Sequence, residues 1–287
     1  MYDVIILGAG PAGISAALYS KMAGADVLVL YFGKSTLDKA DKIENYYGFI
    51  DGIDAKTLYE NGIEQAKNLD IKVKNEEVLN IEKQEKEFSI MTDKDKYKAK
   101  SVILATGNKK LRPNINGITK LEGKGISYCA VCDGFFYKNK NAVVIGNGEF
   151  AKSEAEYLQN IASNVKILTN GEKINIDFNF EVITTKIKEI CGHEKVEQIE
   201  FEDGSKLDVD GIFIAQGEAG GVDFAKKMGI ILNNDNIVVD ENMQTNIEGL
   251  YACGNVTGGM LQICKATYEG AKAGLDAVKY IKNRKED

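Results

Sequence analysis

The chain opens Tyr2-Asp3-Val4-Ile5-Ile6-Leu7-Gly8-Ala9-Gly10-Pro11-Ala12-Gly13-Ile14-Ser15, and this stretch decides the fold. Tyr2 to Leu7 is an apolar run of strand length, and Ile14 to Ala23 has the composition of a helix. Between them stands G-x-G-x-x-G, whose glycines have separate tasks. Gly8 permits the turn out of the strand, Gly10 lets the backbone approach a pyrophosphate, and Gly13 lets the helix pack closely. The helix N-terminus then offers free N–H groups and positive potential to an anion. A second strand, Asp26 to Leu30, follows at the distance a βαβ unit requires. Its end holds Tyr31 where an acidic ribose partner is usual, so ribose recognition differs there.

Working outward, strand Ser101 to Leu104 runs into Ala105-Thr106-Gly107, small residues that let the backbone turn beside a flat cofactor. Strand Ala142 to Ile145 runs into Gly146-Asn147-Gly148-Glu149-Phe150-Ala151 and a helix through Leu158. This is the G-x-G-x-x-A form of the fingerprint, so the fold class is α/β with two Rossmann-like nucleotide-binding domains. Fold alone does not prove a ligand.

The 287 residues exceed the roughly 100 to 200 of one domain, which also favours two. No basic leader precedes the first strand and no apolar run reaches the roughly 18 residues of a membrane span, so a cytoplasmic protein is expected. A formal net charge of −7 argues against general nucleic-acid affinity. The only histidine, His193, stands in the polar stretch Gly192-His193-Glu194-Lys195 and reads as a solvated loop residue, which leaves chemistry needing a His base without a candidate.

Cys129-Ala130-Val131-Cys132-Asp133-Gly134 carries the chemistry. Two cysteines separated by two residues can close a disulfide, and nearby dipoles can lower one thiol's pKa enough to expose a thiolate. Asp133 can move protons as that disulfide opens. The competing reading, half of a zinc site, needs two further ligands at suitable spacing. Cys191 with His193 is the only close pair.

Gly8-Ala9-Gly10-Pro11-Ala12-Gly13, Ile43-Glu44-Asn45, Ala105-Thr106-Gly107, the CxxC segment and Gly249-Leu250-Tyr251-Ala252-Cys253-Gly254-Asn255-Val256 resemble the low-molecular-weight thioredoxin reductases in motif and order. The resemblance covers essentially the whole chain. It implies an FAD-binding domain over 1–112 and 243–287, with an inserted domain over 113–242 that carries the cysteines. It also implies that Cys132 faces the flavin, that Cys129 attacks the partner disulfide, and that Asp133 serves as acid and base. FAD contacts are expected from Gly8, Gly10, Pro11, Ala12, Gly13, Asn45, Ala105, Thr106, Gly107, Gly254, Asn255, Gln262 and Ile263. Thioredoxin is the implied acceptor and a homodimer the implied assembly. Asn255 replaces the family's usual Asp, though an amide still hydrogen-bonds a hydroxyl. The family's Gly-Gly-Gln segment ahead of Ile43 is absent.

The electron donor is read from departures. Strand Val165 to Leu168 is followed by Thr169-Asn170-Gly171-Glu172-Lys173, without the family's arginines for a 2′-phosphate. Phe150 puts a bulky ring where the family keeps a small residue, and Ala215-Gln216-Gly217-Glu218 lacks the usual Pro-containing loop. The pattern looks like the ferredoxin-linked flavin thioredoxin reductases, so ferredoxin is favoured over NADPH. An acidic ferredoxin needs a positive docking patch: Lys109, Lys110 and Arg112 first, then Lys94, Lys96, Lys98 and Lys100. Alternatives are an NADH- or NADPH-dependent thioredoxin or peroxiredoxin reductase with atypical contacts, a non-catalytic flavin-binding redox sensor, and a disulfide-forming oxidase.

Overall fold

The computed structural model describes residues 1–33, 35, 37, 41–107, 113–128, 130–174, 176–216, 220–233 and 236–284, without the side chains of Val131 and Cys132. The chain divides into two compact units, Met1–Lys109 with Gly220–Asp287, and Lys110–Ala219.

The first unit starts β1 (Tyr2–Leu7), α1 (Pro11–Met22), β2 (Val27–Tyr31), the short pair β3 (Lys42–Ile43) and β4 (Ile53–Asp54), then α2 (Ala55–Asn68). It continues through β5 (Lys72–Asn75), β6 (Val78–Gln84), β7 (Glu87–Thr92) and β8 (Lys96–Leu104). β1 pairs in parallel with β2 and β8, and β2 pairs in parallel with β5, which puts the opening strand at the centre. Val4, Ile5 and Ile6 are fully buried, each contributing about 1.5–3 kcal/mol. β8 divides its partners: Lys96 to Ala99 pair antiparallel with β7, which in turn pairs with β6.

The second unit runs α3 (Ile118–Leu121), β9 (Ile126–Ser127), α4 (Ala130–Asp133), β10 (Asn141–Ile145), α5 (Glu149–Gln159), β11 (Asn164–Leu168) and β12 (Glu181–Ile183). β13 (Ile187–Cys191), β14 (Gln198–Phe201), β15 (Lys206–Asp208) and β16 (Gly211–Ile214) complete it. The order β12-β11-β10-β16-β9, all parallel, is the second Rossmann-like sheet, and β13-β14-β15 is an antiparallel meander beside it. His193 is exposed in a bend after β13.

The chain returns to the first unit with α6 (Gly221–Met228), β17 (Leu232–Asn233), β18 (Asn236–Ile237), β19 (Leu250–Ala252) and α7 (Ile263–Asn283). The second boundary falls at Gly220, not near Met243, because α6 packs on β6 and β18 packs on the 3-10 turn Gly254–Thr257. β19 adds in parallel to Val102–Leu104, the last residues of β8.

α7 lies on α1 through a seam of small residues. A Cβ on Gly270 would meet the Ala12 carbonyl oxygen at 2.1 Å, and one on Gly274 would meet that of Ala16 at 2.5 Å. Ser15 Oγ donates to the Thr267 carbonyl at 2.7 Å. That close approach brings the N-terminus of α7 beside the N-terminus of α1. Among the described residues no helix is long and apolar enough to cross a membrane.

Candidate active site

In the first unit the expected cofactor segments converge. Gly8 has φ +113°, and a Cβ there would lie 2.3 Å from the Ala105 carbonyl oxygen. A Cβ on Gly13 would lie 1.8 Å from the Gly8 oxygen and 3.3 Å from Ala105 Cβ. No side chain larger than hydrogen fits either place, so the fingerprint and Ala105 lock together. Gly10 differs: nothing lies within 4 Å of its Cβ position, and it caps α1 with no side-chain acceptor. With Pro11 at the first turn, α1 therefore presents free N–H groups to an open face.

Gly254, at φ +79°, brings the C-terminal segment onto α1, since a Cβ there would touch Ala12 Cβ at 2.7 Å. Asn255 is half-buried in the turn that follows. Asn45 Nδ2 donates to Gln262 Oε1 at 2.9 Å, joining the β3 segment to the start of α7, whose first residue is Ile263. Thr106 Oγ1 and Gly107 follow β8, and the Thr106 hydroxyl is buried without a hydrogen-bond partner. A cavity of about 460 Å³ is lined by Gly10, Pro11, Tyr46, Ile263, Cys264 and Tyr268. An uncapped helix end, two glycines closed on backbone and an orphaned hydroxyl fit a bound dinucleotide.

At the end of β2, the Tyr31 carbonyl accepts from the Glu76 amide at 2.9 Å. The Glu76 carboxylate is buried and takes hydroxyl donors from Tyr97, at 2.8 and 3.0 Å, and Thr92, at 2.9 Å. Burial raises the Tyr97 pKa, partly opposed by Lys74, which donates to its hydroxyl at 2.8 Å.

In the second unit Cys129 lies outside the described residues, and Cys132 is described only by its backbone in α4. Their surroundings are described. Asp133 Oδ2 accepts from Ser127 Oγ at 2.6 Å, and the Ala130 amide donates to Glu154 Oε2 at 2.7 Å. Thus β9 grips one end of α4, and a carboxylate from α5, only 2% exposed, grips the other. Tyr137 meets Phe213 edge-on at 5.2 Å, and burial, then the charges of Asp133 and Asp210, push its pKa up. Phe135 and Phe136, directly after α4, are 74% and 68% exposed.

The second fingerprint is built as a fold element. A Cβ on Gly146 would strike the Ala215 oxygen at 2.2 Å. Asn147 Nδ2 donates to the Lys173 carbonyl at 3.1 Å, tying the glycine loop to the loop after β11. Phe150 is 2% exposed and belongs to the core of this unit. Thr169 is buried, and Asn170, at φ +52°, accepts from the Ile187 amide at 2.9 Å. Neither presents a cation to a phosphate.

Of the charged clusters, Lys109, Lys110 and Arg112 lie outside the described residues. In the other, Lys100 pairs with Asp3 at 2.6 Å, Lys98 pairs with Glu87, and Lys94 donates to the Asn75 carbonyl at 2.6 Å. The charges of Lys98 and Lys100 are therefore met by carboxylates of their own unit. No group of three His, Cys, Asp or Glu side chains able to hold a metal ion occurs among the described residues.

Sequence reasoning missed Ser127, Glu154, Phe135, Phe136 and the Lys265–Glu269 pair on α7. Glu154 had one signal, an acid on the apolar face of α5. Lys265 and Glu269 had another, their i,i+4 spacing beside the Gly254 segment.

Residues 2–270 match the family described as pyridine nucleotide-disulphide oxidoreductase. A thioredoxin reductase from Listeria innocua is 36% identical over 310 aligned positions, covering 100% of this chain and 96% of the relative. Among solved structures, the atypical thioredoxin reductase TRi from Desulfovibrio vulgaris Hildenborough superposes with a TM-score of 0.93 at 37% identity, covering 99% of each chain. A ferredoxin-flavin thioredoxin reductase from Clostridium acetobutylicum superposes with a TM-score of 0.75 at 35% identity, covering 98% of each. The chain therefore belongs to the pyridine nucleotide-disulphide oxidoreductase family, among its thioredoxin reductases.

Proposed function

We propose that the chain is an FAD-dependent disulfide reductase that takes electrons from ferredoxin and passes them through Cys129 and Cys132 to thioredoxin. The observation that carries the donor is the second fingerprint. Its loop is strapped by Asn147 to Lys173, the residue before its closing alanine is the bulky, buried Phe150, and the end of β11 offers Thr169 and Asn170 in place of cations. Open space at Gly148 and the uncapped start of α5 favour the second reading, a pyridine nucleotide donor with atypical contacts.

Gly8, Gly10, Pro11, Ala12 and Gly13 would hold the pyrophosphate of FAD at the α1 N-terminus. Ala105, Thr106 and Gly107 would flank it, Asn255, presented by the turn at Gly254, would take the ribityl hydroxyls, and Asn45, Gln262 and Ile263 would line the ring. FAD, when bound, supplies the step between a one-electron donor and a two-electron disulfide. Two electrons and two protons open the Cys129–Cys132 disulfide to two thiols. The Cys129 thiolate then attacks the thioredoxin disulfide, forming a mixed disulfide and expelling one thioredoxin thiolate. Cys132 attacks Cys129 Sγ, releasing the second thiolate and restoring the pair. Asp133, oriented by Ser127, hands protons on and off. Phe135 and Phe136 offer exposed apolar surface next to this chemistry for the acceptor.

A homodimer is part of this reading. Tyr19 and Met22 on α1, with Tyr268 and Leu275 on α7, leave large apolar side chains exposed on the packed helix pair, as expected of a self-association face. Sedimentation of the full chain should give twice the monomer mass; a monomer throughout removes it.

The test of the carrier roles is Cys129→Ser. Reduced ferredoxin should still bleach the bound flavin, while thioredoxin reduction is lost. Thioredoxin reduction surviving at the wild-type rate would overturn the assignment.

A further inference from the structure

Helix α7 carries an ion pair to which neither the fold nor the disulfide chemistry assigns a task. Lys265 and Glu269 stand four residues apart, their side chains only 15% and 12% exposed, with Nζ and Oε2 3.0 Å apart. The Lys265 ammonium also donates to the Gly254 and Gly258 carbonyls, at 2.8 and 2.5 Å, and to Thr257 Oγ1 at 2.9 Å. Glu269 Oε2 accepts from the Gly254 amide at 2.8 Å and from the Thr257 hydroxyl at 3.0 Å. The pair thus clamps both ends of one turn.

That turn needs a clamp. Gly254 and Gly258 have φ +79° and +75°, so its backbone leaves β19 in left-handed geometry that no sheet ladder holds. Asn255 lies inside it. An exposed i,i+4 pair contributes little. This one is mostly buried and hydrogen-bonded on both sides, so deleting one partner leaves the other charge uncompensated. Both charges are felt locally: besides burial, Glu269 raises the Cys253 thiol pKa and Lys265 lowers it.

We propose that Lys265 and Glu269 are positioning residues for the flavin, fixing the turn that presents Asn255 and placing one charge of each sign behind the C-terminal flavin segment. This rests on the flavin reading of the first unit. Because the charges are opposite, removing them singly has opposite electrostatic effects, whereas lost packing acts alike in both variants. Lys265→Met leaves a carboxylate, which disfavours electron uptake nearby and lowers the flavin midpoint potential. Glu269→Gln keeps an acceptor for the Gly254 amide, leaves an ammonium and raises it.

The experiment uses the full chain as wild type, Lys265→Met and Glu269→Gln, with FAD affinity from fluorescence on reconstitution and midpoint potential from equilibration with a reference dye. Both variants should bind FAD about tenfold more weakly, the cost of one charged hydrogen-bond network, and their potentials should move in opposite directions. Potentials unmoved, or displaced the same way, overturn the proposal. If Lys265→Met does not fold, Glu269→Gln alone decides: a potential that rises supports the proposal and one that stays or falls overturns it. A wild-type chain that takes up no FAD overturns the flavin reading and the proposal with it. A wild type that binds FAD beside variants of unchanged affinity and potential overturns the proposal alone.

Discussion

Gly270→Ala measures the contact that brings the two ends of the first unit together. The added Cβ would lie 2.1 Å from the Ala12 carbonyl oxygen and 3.0 Å from Ser15 Cβ. The first of these is backbone and cannot rotate away, so the helices must separate. Overpacking of this kind costs about 1–3 kcal/mol, and the upper half of that range, about 2–3 kcal/mol, applies where backbone is struck. Alanine's better helix propensity returns about 0.8–1 kcal/mol, leaving a net loss of about 1–2 kcal/mol. At about 2–4 °C per kcal/mol for a unit of this size, flavin-free protein should melt about 2–8 °C lower by circular dichroism. FAD affinity should also fall, because α7 carries Gln262 and Ile263 toward Gly10. Gly62 in α2 is the control. Its nearest neighbour would be Ile14 Cγ2 at 3.7 Å, an ordinary contact, so Gly62→Ala keeps only the propensity gain and should melt about 2–4 °C higher. A Gly270→Ala protein that melts at or above wild type would refute the packing of α7 on α1.

Asp54 caps α2, accepting from the Thr57 amide and hydroxyl, both at 2.7 Å, and these bonds hold its carboxyl below the ordinary range. A depressed carboxyl stabilises above its unfolded pKa of about 4 and loses that effect as pH falls through the folded value. Asp54→Ala should therefore lower the melting temperature at pH 7, with the gap to wild type closing on strong acidification. Ser127→Ala should slow proton-coupled reduction of thioredoxin and shift its pH profile, leaving FAD content unchanged; an unmoved profile would free Asp133 from Ser127. Phe135→Ala with Phe136→Ala should raise the thioredoxin KM about tenfold or more, the scale of an interface anchor, with little change toward a small disulfide reagent. Equal effects on both substrates would point to a distorted α4 instead.

The parts of the fold legible in the sequence are those whose physics is local. Gly8, Gly13 and Gly146 each abut backbone that excludes a side chain, and such glycines between a strand and a helix announce themselves by residue type. β1 and β10 carry continuous apolar runs, Val4 to Leu7 and Ala142 to Ile145, because both faces of a parallel sheet are covered. The return boundary was not legible. α6 buries Phe224 and Ala225, and an apolar stripe says that a helix packs, not on which unit. The long-range polar contacts were hidden for the same reason. Glu154 meets Ala130 across 24 residues, and Asn45 meets Gln262 across 217; charged and amide residues on a helix or loop read as solvated until the fold brings their partners in. Tyr31 stands where an acid is usual, while the buried Glu76, whose amide donates to the Tyr31 carbonyl, carries no pattern of its own.

The donor is the central claim, and an anaerobic absorbance titration of the yellow protein tests it most directly, adding NADPH, NADH and chemically reduced ferredoxin in turn with thioredoxin present. Flavin bleaching with ferredoxin alone is the predicted result. Rapid bleaching by either nicotinamide cofactor would contradict it, and would show that the strapped second fingerprint still admits a pyridine nucleotide.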